Sequence, residues 1–293
     1  MSKIVIAGGT GFLGQFLASR FRSEGNEVVI LSRKAGNVHW GDQQGIINTL
    51  DRADVVINLA GKSVNCRYTE KNKREILQSR VETTRALGTA IAACPHPPKL
   101  WINSSTATIY RHAEDRPMTE AEGETGTGFS VQVAREWEQA FFGFALPQTR
   151  QIALRTAIVL GRGGALQPLK TLACLGLGGK QGSGRQMVSW IHIEDLYRII
   201  RFLVEQEELE GVFNCSAPEP VTNASFMRSL RQALHRNIGL PAPAWLLEIG
   251  AVFIGTETEL ILKSRWVLPD RLQKRGFKFA YSSLQPALEQ ILC

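Results

Sequence analysis

The stretch Lys3–Gly14, with the sequence KIVIAGGTGFLG, decides the fold of this chain. Its first residues, Lys3–Ala7, form an apolar run short enough for one buried strand, and a helical pattern follows the glycines. Strand, glycine loop and helix is the arrangement that binds the pyrophosphate of a dinucleotide. Gly8 permits the tight turn, Gly11 has no side chain to hold the phosphates off the backbone, and Gly14 lets the helix pack close to the strand.

The glycine spacing in this loop is G-x-x-G-x-x-G, one residue wider at its start than the G-x-G-x-x-G fingerprint. Because the loop opens a helix, its backbone and the first helical turn should lie against the phosphates. The cofactor contacts expected here are Gly8, Thr10, Gly11, Phe12, Leu13 and Gly14.

Apolar segments alternate with helical patterns in the first half of the chain. The expected strands after the first are Val28–Leu31, Asp54–Asn58, Lys99–Asn103 and Gln151–Arg155. Strands that alternate with helices and are apolar throughout indicate an α/β chain with a Rossmann-type, doubly wound parallel sheet. After Gly161 the sequence becomes glycine-rich and then mostly helical, which predicts a smaller, mostly helical C-terminal substrate cap. The expected domains are 1–160, which binds the cofactor, and 161–293, with a return of the chain to the sheet at about 187–215.

The residues after the second strand bear on the choice of cofactor. An Asp or Glu is usual here when the ligand has a free adenosine 2′-hydroxyl, but this chain has Ser32, Arg33 and Lys34. A guanidinium can clamp a phosphate bidentately and a serine hydroxyl can add a hydrogen bond. The segment therefore predicts NADP rather than NAD; the alternative is a solvated basic pair after a strand.

Composition narrows the class of protein further. The chain has 293 residues, a net charge of +7 and scattered cysteines without metal-ligand spacing, which fits a reducing cytoplasm. No apolar run approaches the roughly 18 residues that span a bilayer, and the early first strand leaves no room for a signal peptide. No basic stripe interleaved with aromatic residues appears, so we expect no nucleic-acid partner and no membrane partner. The expected partner is a small-molecule substrate, and the oligomeric state is left open.

Two further motifs carry a resemblance to a known family. Asn58–Gly61 (NLAG) and Ser104–Tyr110 (SSTATIY), together with the glycine loop, resemble the extended short-chain dehydrogenase/reductase superfamily of the nucleotide-sugar epimerases. The match is closer still to the group called "epimerase family protein", similar to the bacterial YfcH proteins. It runs the full length of the chain, and further matching phrases are Ser79–Thr84, Gly176–Gly179, Gly182–Gly184, Trp190–Ile193 and Leu268–Leu272.

This resemblance implies roles for particular residues. Thr106 lies where the superfamily places a hydroxyl that bonds the reacting oxygen, and Tyr110 matches a tyrosine that usually packs; these two are the candidate catalytic residues. Arg155 precedes a segment that lines the nicotinamide in the superfamily. The expected cofactor contacts outside the glycine loop and the basic segment are Leu59, Ala60, Gly61, Ser104, Ser105 and Arg155. For the NLAG segment a simple tight turn is the alternative.

The helix that begins near Phe129 departs from the superfamily's pattern. In the superfamily, the acid/base group is a Tyr-x-x-x-Lys pair on this helix. In this chain, the residues at that spacing are Phe129 with Val133 and Ser130 with Ala134, so neither pair supplies Tyr and Lys. Three explanations stay open: another hydroxyl such as Thr106, Ser130 or Tyr110 relays a proton, the substrate needs no strong acid, or the protein binds NADP without turnover.

The leading hypothesis is an NADP-dependent oxidoreductase or epimerase-like enzyme that acts on an unidentified small molecule. A non-catalytic NADP-binding or redox-sensing protein is the alternative, and a SAM-binding transferase fits the sheet but not Arg33. Lys180 and Arg185 in the cap could hold an anionic substrate or be solvated loop residues. His192 is expected to be a hydrogen-bonded core histidine, and Asp195 a helix N-cap.

Overall fold

The computed structural model describes residues 1–32, 38–245, 247–248 and 257–292. Its strands are β1 (Lys3–Ala7), β2 (Glu27–Leu31), β3 (Val55–Asn58), β4 (Leu100–Thr106), β5 (Arg150–Thr156), β6 (Ile158–Leu160), β7 (Met187–Val188), β8 (Trp190–His192), β9 (Gly211–Cys215) and β10 (Val221–Thr222). Its helices are α1 (Phe12–Ser23), α2 (Gln43–Leu50), α3 (Glu70–Ala93), α4 (Phe129–Phe142), α5 (Leu166–Cys174), α6 (Ile193–Glu205), α7 (Asn223–Ala233), α8 (Glu259–Leu262), α9 (Asp270–Lys274) and α10 (Leu284–Leu292).

A six-stranded parallel sheet, in the order β2-β1-β3-β4-β5-β9, forms the centre of the fold. The chain moves outward from β1 to β2 and then crosses back to β3. The carboxyl ends of β1 and β3 therefore diverge at a topological switch point, where doubly wound sheets bind their ligands. The predicted fold class, a Rossmann-type parallel sheet with a helical C-terminal part, is confirmed.

The apolar run in β1 is continuous because both faces of that strand are covered. Ile4 and Ile6 pack in the core layer that contains α1 and α6, whereas Val5 and Ala7 pack in the layer that contains α2 and α3. Successive strand side chains point to opposite faces, so each layer takes alternate residues. The position of β1 is thereby fixed, and the loop that follows it begins at a defined end of the sheet.

The chain after β5 contributes to the sheet and also builds a second core. β9 pairs in parallel with β5, so the central sheet contains a strand from the predicted return segment at about 187–215. A separate apolar cluster contains Leu160, Trp190, Phe226 and Leu288 and joins α5, α7 and α10. Short pairings between β6 and β8 and between β7 and β10 complete this part. The exact domain boundary at 160/161 stays a prediction.

The start of α6 differs from the sequence-based expectation. His192, not Asp195, is the N-cap, and its Nδ1 accepts the Glu194 amide at 3.1 Å. The buried Asp195 carboxylate instead accepts the backbone amides of Ala280 and Tyr281, each at 2.8 Å. The N-cap prediction for Asp195 was wrong because amides distant in sequence provide the partners. His192 is a buried histidine bonded to Gln290, as expected, and burial lowers its pKa.

The described part of the chain contains neither a helix that could span a membrane nor a cluster of metal-ligating side chains. None of its helices is both long enough and apolar enough to span a membrane. Within the same residues, no group of three or more His, Cys, Asp or Glu side chains is arranged to hold a metal ion.

Candidate functional site

The glycine loop between β1 and α1 is built around close backbone contacts. Gly8 has a φ of +77°, and a Cβ on it would lie 2.8 Å from the Ala60 backbone. A Cβ on Gly14 would lie 2.4 Å from the Gly9 Cα, so only glycine lets the helix approach the loop. A Cβ on Gly11 would meet only the Gly8 carbonyl oxygen, at 3.7 Å, among the described residues. The open side of Gly11 therefore allows a ligand to approach the backbone.

The N-terminus of α1 has the electrostatic character of an anion site. Gly11 is the N-cap residue, no side chain caps the helix, and its first turn contains no acidic residue. Uncapped amides and the helix dipole favour negative charge at this end. Thr10 is exposed beside this turn, whereas the half-buried Leu13 packs on the core. Phe12 lies against the 161–164 loop, since a Cβ on Gly163 would meet its ring at 2.9 Å.

The residues predicted to choose between NAD and NADP are described only in part. The Gly8 amide donates to the Leu31 carbonyl at 2.9 Å, so the end of β2 lies beside the glycine loop. Ser32 follows directly and is buried. Arg33 and Lys34 lie outside the described residues, and their predicted contact with a 2′-phosphate stays a prediction.

A buried polar network shapes the turn after β3. The Asn58 Nδ2 donates to Asn103 Oδ1 at 2.7 Å and to Thr84 Oγ1 at 3.1 Å, and Trp137 Nε1 donates to the same threonine at 3.0 Å. The Asn58 Oδ1 accepts the Ala60 amide at 3.0 Å. The side chain thus holds the NLAG turn against the glycine loop. The sequence motif indicated the turn but not these partners, which come from β4, α3 and α4.

A cavity of about 220 Å³ opens at the carboxyl ends of β3 and β4. It brings together all the residues predicted on these two strand ends except Tyr110. The predicted residues that line it are Leu59, Ala60, Gly61, Ser104, Ser105 and Thr106. It is also lined by residues that the sequence analysis did not assign to the site, namely Val64, Tyr68, Ile76, Arg80, Thr108 and Trp137.

The N-terminal turn of α4 supplies another wall of this cavity. Phe129, Ser130 and Val133 line it, so three of the four positions with the Tyr-x-x-x-Lys spacing belong to the predicted site. The Ser130 hydroxyl donates to Glu259 Oε2 at 2.9 Å. Tyr68 packs edge-on against Phe129, with ring centroids 5.0 Å apart. Burial raises the pKa of Tyr68 and outweighs its bond with Ser130, so the phenol stays protonated at neutral pH.

Thr106 is connected to two cationic side chains from the C-terminal part. Its hydroxyl donates to the Thr108 hydroxyl at 3.1 Å, and the Thr108 hydroxyl oxygen also accepts a bond from Arg265 Nε at 3.2 Å. Lys263 Nζ donates to the Thr108 carbonyl at 2.8 Å, and burial together with Arg265 lowers the pKa of Lys263 to about 8. The end of β4 therefore lies in a locally positive region, which favours developing negative charge on a bound oxygen.

Ser105, Tyr110 and Arg155 belong to a second buried network. Arg155 forms a bidentate pair with Glu138, with Nε–Oε1 and Nη2–Oε2 distances of 2.8 and 2.7 Å. The same carboxylate accepts the Ser105 hydroxyl at 2.6 Å. Burial alone would lower the pKa of Arg155, but Glu138 outweighs it and raises that pKa.

Tyr110 belongs to the same network and does not line the cavity. Its hydroxyl donates to Asn214 at 2.9 Å and accepts from Arg155 at 3.0 Å, and the side chain is 2% exposed. These contacts fit packing rather than proton transfer. Lys180 and Arg185 are exposed and do not line the cavity, and the Arg185 guanidinium lies 3.6 Å from Glu114.

Comparison with known proteins gives matches along almost the whole chain. Residues 4–137 match the NAD dependent epimerase/dehydratase family, and residues 242–291 match a domain of unknown function, DUF1731. The epimerase family protein YfhF of Bacillus subtilis is 36% identical, over 99% of this chain and 97% of that protein. The human epimerase family protein SDR39U1 is 34% identical, over 99% of both chains. A crystal structure of human SDR39U1 (isoform 2) with NADPH superposes with a TM-score of 0.91, over 99% of both chains, at 33% identity.

Proposed function

The chain belongs to the NAD dependent epimerase/dehydratase family, and from this premise we propose that it is an NADP-dependent oxidoreductase or epimerase-like enzyme. Its substrate would be a small molecule. The observation that carries the proposal is the cavity at the ends of β3 and β4, in which the NLAG turn, Thr106 and the start of α4 meet. The glycine loop lies directly beside this turn.

Three features support a dinucleotide cofactor, and the last two favour NADP. The uncapped start of α1 suits the pyrophosphate, and the open side of Gly11 leaves room for it. Ser32 and, by prediction, Arg33 and Lys34 would hold the 2′-phosphate. The structurally similar human SDR39U1 was crystallised with NADPH.

A bound nicotinamide cofactor would supply hydride transfer at this site. Reduction of a carbonyl also needs stabilisation of the carbonyl oxygen and a proton at that oxygen. Thr106 would donate a hydrogen bond to the substrate oxygen once its hydroxyl turns from Thr108 toward that oxygen, while Arg265 holds Thr108 in place. The hydroxyls of Tyr68 and Ser130 line the same cavity and are the groups through which a proton could pass. We therefore propose chemistry without the Tyr-x-x-x-Lys pair.

A non-catalytic NADP-binding or redox-sensing protein is the second candidate. The residues at the positions of the Tyr-x-x-x-Lys pair favour this second candidate. Phe129 and Val133 line the cavity there, and neither side chain exchanges protons. The likeness to the YfcH proteins and a cytoplasmic location both stay predictions from the sequence.

Thr106→Val should lower the rate of hydride transfer by about 100-fold, because it removes one hydrogen-bond donor from the reacting oxygen. We would follow deuterium from 4-deuterated NADPH into a panel of aldehydes and ketones by mass spectrometry. The dissociation constant for NADPH should not change, since the threonine is assigned to the substrate.

Thr89→Val is the matched control, because Thr89 is exposed on α3. An unchanged rate in Thr106→Val would remove Thr106 from the mechanism. If the wild type binds NADPH but transfers deuterium to no member of the panel, the non-catalytic candidate replaces the enzyme.

A further inference from the structure

We propose that Arg80 forms an oxyanion subsite, which binds a carboxylate or phosphate group of the substrate inside the cavity. This inference deepens the proposed function and rests on it. Arg80 lies in the middle of α3 and lines the cavity together with Thr106. A substrate held by both residues would carry an oxyanion at one end and a carbonyl or hydroxyl group at the other.

The guanidinium of Arg80 is held in a defined position. Its Nη1 donates to the carbonyls of Lys62 and Ile76 at 3.0 and 2.9 Å. The guanidinium carbon lies 5.2 Å from the ring centroid of Trp137, which is a cation–π contact. A Cβ on Gly61 would lie 3.1 Å from that carbon, so the NLAG turn closes over the group. Such positioning lowers the entropy lost when a ligand binds.

The charge of Arg80 has no acidic partner among the described residues. Nε and Nη2 donate no hydrogen bond to any of them, and no described carboxylate forms an ion pair with the group. Burial lowers the pKa of Arg80 to about 10, with only Tyr68 opposing, so the group stays charged at neutral pH. A charge that is partly buried and has no counter-ion is costly. An oxyanion bound at the two remaining nitrogens would offset that cost.

The neighbouring acidic side chains have other partners. Glu75 pairs with Lys62, and Glu259 accepts from Ser130 and lies 4.0 Å from Lys263. Negative charge near the Ser130 wall would repel an anion there. The oxyanion of a substrate is therefore directed to the Arg80 wall and away from α8.

The side chains on the other walls of the cavity indicate the chemical character of the rest of the ligand. Aromatic and aliphatic side chains line the rest of the cavity, and they are Val64, Tyr68, Ile76, Phe129, Val133 and Trp137. The cavity of about 220 Å³ would also admit part of the cofactor, because its lining includes the expected cofactor contacts Leu59 and Ser104, so the space left for the substrate fits a compact molecule. The expected class is a small, partly apolar carbonyl or hydroxy compound that bears a carboxylate or a phosphate.

The test measures binding of benzoylformate, of its uncharged methyl ester and of phenyl phosphate to the NADPH-loaded protein. Wild type should bind at least one of the two anions more tightly than the ester. Arg80→Met should weaken that binding by about tenfold or more and leave ester binding unchanged, because a charge-assisted pair is lost. Arg80→Lys should retain part of the preference. Comparison of benzoylformate with phenyl phosphate identifies the favoured oxyanion.

Arg85→Met is the matched control, since Arg85 is exposed on the same helix and its loss removes the same charge. Equal wild-type affinity for the anions and the ester overturns the subsite, as does an anion preference that survives in Arg80→Met. Weaker NADPH binding in Arg80→Met, with the fold intact by circular dichroism, would assign Arg80 to the cofactor and also overturn it. Failure of the wild type to bind NADPH would instead overturn the proposed function.

Discussion

Gly14→Ala should weaken NADPH binding by about 100-fold or more and also lower the thermal stability of the protein. The new Cβ would lie 2.4 Å from the Gly9 Cα and 2.7 Å from the Gly9 carbonyl carbon. Both are backbone atoms, so the start of α1 must move away from the loop. Such overpacking typically costs about 1–3 kcal/mol. The larger loss is in binding, because the amides that should face the pyrophosphate move with the helix.

Fluorescence titration with NADPH and a thermal melt measure the two effects separately. Gly41→Ala is the matched control, since its Cβ would meet no described atom within 4 Å. If Gly14→Ala binds NADPH as tightly as the wild type, then binding of the pyrophosphate does not require the close contact between α1 and the glycine loop.

Glu138→Ala should lower the free energy of unfolding by about 3–5 kcal/mol, the usual cost of removing one partner of a buried ion pair. The Arg155 and Glu138 side chains are only 15% and 11% exposed. Without the carboxylate, the guanidinium would keep Tyr110 but lose both of its charge-assisted bonds, and Ser105 would lose its acceptor. Urea denaturation measures the change.

Glu136→Ala, on the same helix, should have a small effect, because Glu136 accepts a single bond from the exposed Gln132. Replacing both members of the pair, with Glu138→Leu and Arg155→Met, should recover much of the loss, since no charge then stays buried alone. A loss below about 1 kcal/mol in Glu138→Ala, the range of surface pairs, would contradict the structural role given to this network.

The glycine loop could be predicted from sequence because its geometry is local. The strand, the glycines and the helix follow one another within Lys3–Ser23, and the close contacts of Gly8 and Gly14 are with the adjacent strand end and with Gly9. Arg155 was expected at the end of the fifth strand and lies within β5, but its partner Glu138 was not expected. That pairing depends on how α4 packs against the sheet. The residue pattern of α4 or of β5 alone does not predict this packing.

Arg80 lies within the family-like segment Ser79–Thr84, but no role was predicted for it from the sequence. Ile76, Arg80, Thr84, Leu87 and Ile91 follow one another at helical spacing on α3. A charged residue within the buried stripe of a helix is uncommon unless it is paired or used. That signal could have identified Arg80. Lys263 and Arg265 carry no such signal, because they reach Thr108 across more than 150 residues of chain.

The ratio of the dissociation constants for NADH and NADPH tests the central claim most directly. We predict that the wild type binds NADPH about tenfold or more tightly than NADH, because a 2′-phosphate would gain the predicted charge-assisted contact with Arg33. In Arg33→Ala this preference should fall toward unity, while the affinity for NADH stays the same. Equal affinity of the wild type for the two cofactors would contradict the assignment of NADP.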